Sequence, residues 1–148
     1  MDPRSHRGLT PVRRPALSCR QAAVDLLAAS GRGLAEAATA PTPTERYVAA
    51  HLAALRAAAA VLATRARPGR DRRPRSVWVL LPQVAPELVE WAEFFAAGAA
   101  KRAAAEAGIT RAVSAREADD LLRDATTFLQ LVATTLRVPH QTAFPLVG

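Results

Sequence analysis

Two residues in this sequence have types and spacing suited to acid–base chemistry: Arg46 and His51, in the run Glu45-Arg46-Tyr47-Val48-Ala49-Ala50-His51. Histidine exchanges a proton near neutral pH, and a ribose 2′-hydroxyl is a fitting partner for it. Arginine would steady the negative charge that develops on a phosphate. Together they would make a metal-independent ribonuclease centre. Helical geometry works against the pair within one chain. Positions five apart point about 140° away from each other, so a two-fold interface between copies would have to bring them together. Tyr47 and His51, four apart, do share a face. The simpler expectation is that His51 lines the interior beside Tyr47 while Arg46 reaches solvent or a carboxylate.

Other candidate chemistry is sparse. His6 and His140 fall in the terminal segments. No His, Cys and carboxylate set has metal-ligand spacing, and neither an HExxH nor a glycine-rich phosphate loop is present, so no metal or cofactor is expected. Asp119, Asp120 and Asp124 surround Arg123. Neighbouring helical residues point about 100° apart, which makes these a solvated face rather than a catalytic pair. Cys19 is the single cysteine, which rules out an intramolecular disulfide and fits a reducing, cytoplasmic setting.

The formal charge of +7 is unevenly placed. Residues 1–15 contribute +3 and residues 65–75 contribute +5, while the rest sums to −1. Arg70, Arg72, Arg73 and Arg75 would give the chain an electrostatic footprint for RNA or another polyanion. The alternative is a solvated linker.

The elements that must position these residues are helices. Half of the residues are hydrophobic, but much of that half is alanine and only seven residues are aromatic. Alanine favours helix and close packing, and no alternating strand pattern occurs. Residues 1–16, rich in Pro and Arg, read as a disordered basic tail. Ser18 and Gln21 have capping-box spacing, which predicts a first helix over about 18–38 with a kink at Gly31 and Gly33. Thr42, Pro43 and Glu45 predict a second helix over 43–66. Its Val48, Leu52, Leu55, Ala59 and Leu62 recur at helical spacing and are expected to face the core.

An arginine-rich loop spans 67–75. Ser76 then caps a short turn, 77–81, with Trp78 inward. Pro86 opens a third long helix carrying Leu88, Trp91, Phe94 and Phe95, which Gly108 stops. Gly98 would let a neighbouring helix approach closely. Ser114 and Glu117 form a further capping box, and a stripe from Ala118 through Phe128 to Leu136 marks the last helix. The expected architecture is all-α, an antiparallel bundle of four long helices plus a short helical turn over residues 17–137, with a loose tail over 138–148. No run of 18 apolar residues suggests a membrane span.

The ordered set "ERYVAAHLAALRAAAAVLATRA", "SVWVLLPQVAPELVEWAEFFAAGAAKRAAAEAG" and "SAREADDLLRDATTFLQLV" resembles the HEPN domains, in particular an actinobacterial branch, over about residues 18–137. The resemblance implies an up-down helical bundle, often dimeric, associated with RNA or nucleotides. Many HEPN members are ribonucleases that use an R-x4–6-H motif near the start of a late helix. In this sequence that region holds Arg102, Arg111 and Arg116 without a histidine, and Arg46 and His51 provide the matching spacing on the second helix instead. Three readings follow. The first is a binding domain for RNA, a nucleotide or a protein partner without clear catalysis, working as a homodimer. The second is a toxin- or defence-type ribonuclease using Arg46 and His51. The third is a structural or regulatory interaction module anchored by exposed Tyr47 and Trp78.

Overall fold

The computed structural model describes residues 14–65 and 75–139, with side chains from residue 18 onward. The loop arginines Arg70, Arg72 and Arg73, the histidines His6 and His140, and most of both tails lie outside the described residues. Five α-helices make up the described chain, which contains no strand: α1 (Arg14–Ala38), α2 (Pro43–Arg65), α3 (Val77–Val84), α4 (Val89–Glu106) and α5 (Ala115–Leu136). A 3-10 turn, Pro86–Leu88, leads into α4, and another, Thr110–Ala112, precedes α5.

The helix ends follow local chemistry. Thr42 Oγ1 accepts from the Glu45 amide at 3.1 Å, Ser76 caps α3 through the Trp78 amide, and Ser114 and Glu117 form the reciprocal box at α5. Gly108 follows α4 with φ +85°, a conformation that a side chain would strain. The first helix departs from expectation. It begins at Arg14, four residues before Ser18, so residues 14–16 are helical and Ser18 is interior to the helix. Pro15 sits in the first turn, where its missing N–H costs nothing. Gln21 Nε2 donates to Asp25 rather than serving a cap. α1 also runs unbroken past Gly31 and Gly33. The chain end differs as well: Val138 is buried, and its amide donates to the Ala133 carbonyl at 2.9 Å.

Helix α2 occupies the centre, packing against α1, α5, α4 and α3. Contacts fix several directions. Ser30 Oγ donates to the Ala53 carbonyl at 2.7 Å and Arg46 Nε to the Ala37 carbonyl at 3.1 Å, so α1 and α2 run antiparallel. His51 meets Phe95 and Tyr47 meets Gly98, so α4 also runs against α2.

The buried face of α2 is not the expected leucine stripe. Ala50, Ala53, Ala54, Ala57, Ala58, Ala60 and Val61 are fully buried together with His51, while Val48, Leu52, Leu55, Ala59 and Leu62 are half-buried, Val48 and Leu55 among them packing against the core as expected. A helix enclosed by four neighbours gains most from small side chains that let backbones approach, so the leucines move to its flank. Gly33 serves the same seam. A Cβ there would come within 3.3 Å of the Ala53 Cβ and 3.1 Å of the Arg56 guanidinium. By length and composition α2 is apolar enough to cross a membrane, but 56% of its most apolar stretch is buried within the bundle.

The aromatic mass lies between α3, α4 and α5. Phe95 is the hub, with ring centroids 5.1 Å from both Trp78 and Phe128, 6.0 Å from Trp91 and 5.0 Å from Phe94. Tyr47 and Trp78 are buried in the core rather than exposed as contact anchors.

Candidate functional site

The two residues singled out by spacing are turned to different tasks. Arg46 lies near the start of α2, where the chain has just turned back from α1. Its Nε and Nη2 donate to the carbonyls of Ala37 and Ala40 at 3.1 and 3.3 Å, and Nη1 pairs with Asp119 near the start of α5. The last carbonyls of a helix lack internal partners and carry partial negative charge, so a guanidinium suits this place. Arg46 therefore ties the end of α1 and the start of α5 to α2. Replacing it with methionine keeps the stem but removes its bonds to the Ala37 and Ala40 carbonyls and to Asp119, leaving Ala37 only the Ala40 amide. An expected loss of about 2 kcal/mol, read by urea denaturation, follows from removing charge-assisted hydrogen bonds.

His51 is fully buried. Its Nε2 lies 2.8 Å from the Phe95 carbonyl oxygen, which can only accept, so Nε2 carries the proton and the neutral ring leaves Nδ1 without a partner. Tyr47 stacks on the ring at 6.4 Å, and Trp78 and Phe95 present their edges at 5.9 and 6.1 Å. Burial lowers the His51 pKa most. The Phe95 hydrogen bond opposes that shift, nearby Arg102 adds to it, and Glu106 opposes it. Gly98 makes room for this arrangement: a Cβ there would stand 2.8 Å from the Tyr47 hydroxyl. Within the chain Arg46 and His51 serve different partners: Ala37, Ala40 and Asp119 for the one, Phe95 for the other.

The acidic stretch of α5 is likewise engaged. Asp119 holds Arg46, and Asp120 pairs with Arg123 at 2.7 Å. The Asp124 carboxyl is raised above its ordinary range by burial, opposed by Arg123 and reinforced by Asp120. No cluster of three or more His, Cys, Asp or Glu able to hold a metal occurs among the described residues. Cys19 is free and exposed. Arg75 is exposed just ahead of α3.

Sequence spacing did not reveal a cleft of about 390 Å³ where the end of α1, the start of α2 and the end of α4 meet. Val48, Ala49, Leu52 and Ala105 supply apolar surface, while Glu36, Glu45, Arg56 and Glu106 supply charge. Arg65 and Arg14, where the arginine-rich segments join the described bundle, lie at its opposite end.

Comparison with known proteins places the central and later helices in one family. A family model for SAV_6107-like HEPN domains matches residues 37–133. No curated protein matches the chain, and no solved structure does.

Proposed function

Because this chain belongs to the HEPN family, matched from the end of α1 through α5, we propose that it is a member that binds RNA without cutting it. The observation that carries the reading is the state of His51. A general acid or base must touch the reacting hydroxyl directly or through one water. This ring is fully buried, its one N–H is committed to the Phe95 carbonyl, and Arg46 is committed to Ala37, Ala40 and Asp119. The pairwise helix directions support an antiparallel, HEPN-like bundle of four long helices as the scaffold.

Positive charge then supplies the affinity. Arg70, Arg72, Arg73 and Arg75 cluster in sequence, and neutralising phosphates with arginine releases counterions, a large share of most RNA affinities. A homodimer would double that footprint.

Incubation of the purified chain with labelled RNA in EDTA tests both halves. Full-length RNA should persist, and wild type should retain it in a filter assay. Removing the four arginine charges should weaken retention at least ten-fold and flatten its salt dependence. RNA cleavage that disappears in His51→Ala would defeat the non-cleaving reading, and unchanged retention in the arginine variant would defeat the role of the segment.

A further inference from the structure

The cleft at the α1–α2 turn is chemically unlike the arginine-rich segments. Glu36 and Glu45 stand on its rim, and neither side chain makes an ion pair or hydrogen bond with another described residue. Glu106 is only loosely held, with Arg102 Nε 3.8 Å away. Arg56 lines the wall, half-buried and likewise without a hydrogen-bonding partner among the described residues. Between these charges Val48, Ala49 and Leu52 expose an apolar floor. Helix α4 ends here, and its carbonyl end adds partial negative charge, while Arg46 serves the carbonyls at the end of α1 and the start of α2 brings partial positive charge beside Glu45.

We infer that this cleft is a docking site for a basic peptide segment of a protein partner. The charges select the occupant. Two unengaged carboxylates attract a lysine or arginine head, and the alkyl stem of such a side chain suits the apolar floor. Arg56 then donates to a peptide carbonyl, an acceptor that any peptide carries beside its cationic side chains. A cleft of about 390 Å³ takes one or two side chains and the backbone between them, within the ~300–1,000 Å³ range of ordinary ligand sites. Phosphate is disfavoured, since three glutamates face one arginine here. The inference stands independently of RNA binding, which would use arginines that join the bundle elsewhere. A chain with both sites would link a polyanion to a basic protein.

The probe is a dye-labelled peptide of alternating arginine and alanine, with a peptide of alternating glutamate and alanine as control. The chain is itself basic, at +7, so bulk electrostatics oppose the arginine probe and saturable binding must come from a local site. Fluorescence anisotropy should show saturable binding of the arginine peptide to wild type and none of the acidic one. The double variant Glu36→Gln, Glu45→Gln, with helical circular dichroism unchanged, should bind at least ten-fold more weakly. Methyl NMR shifts on adding the arginine peptide should concentrate at Val48 and Leu52. Absent binding, equal binding by the double variant, or shifts centred away from those methyls would each overturn the docking site. RNA retention by the double variant should equal that of wild type, which separates this result from the fate of the RNA reading.

Discussion

Replacing Phe95 with alanine should cost about 3–5 kcal/mol, the usual range for emptying a fully buried aromatic site. Five rings lean on Phe95: His51, Trp78, Trp91, Phe94 and Phe128. Each well-placed aromatic pair adds about 0.5–1.5 kcal/mol beyond area burial. Domains of this size hold only about 5–15 kcal/mol in all, so the variant should lose much of its margin. Phe94 is the matched control. It lies one residue away on the same helix but is 45% exposed, and its truncation should cost far less. Urea midpoints of the two variants measure the difference. Equal losses would mean that the aromatic cluster is not where α3, α4 and α5 are held together.

The sequence carried the helices well and the faces less well. The caps at Thr42, Ser76 and Ser114 were readable because each depends on a few neighbouring residues. The start of α1 was misread because Ser18 and Gln21 have capping-box spacing inside a helix that Pro15 had already opened. The error on α2 is more instructive. Leucines and alanines both recur at helical intervals there, and size suggested that the leucines face inward. Which set is buried depends on how many neighbours surround the helix. With four of them, alanines fill the close contacts and Val48 and Leu52 are left to line a cleft. That cleft needs the end of α4, some fifty residues on, to close over the α1–α2 turn, so no local pattern announces it. The family match begins at residue 37, whereas Gly33 and Glu36 of the cleft wall precede it. A carboxylate was one of the two partners the sequence allowed Arg46, with solvent the other, and its bonds to the Ala37 and Ala40 carbonyls need the tertiary turn to exist.

The stability of this fold should fall as pH drops below about 6.5, and His51 should be the reason. Burial holds the folded-state pKa of the ring below its ordinary value of 6.5. In the unfolded chain the ring protonates as pH passes 6.5, while in the fold it stays neutral. The unfolded state then binds one more proton, so stability is complete above 6.5 and declines below it, by about 1.4 kcal/mol per pH unit, until the folded ring protonates too. Urea midpoints at pH 8, 7, 6 and 5 should trace that decline in wild type. His51→Gln retains a donor for the Phe95 carbonyl but cannot titrate, so its midpoints should stay flat between pH 7 and 5 (below that window carboxylates dominate). A wild-type profile as flat as that of the variant would show that the folded ring takes up its proton at the same pH as the unfolded one, and that burial under Tyr47, Trp78 and Phe95 does not hold it neutral.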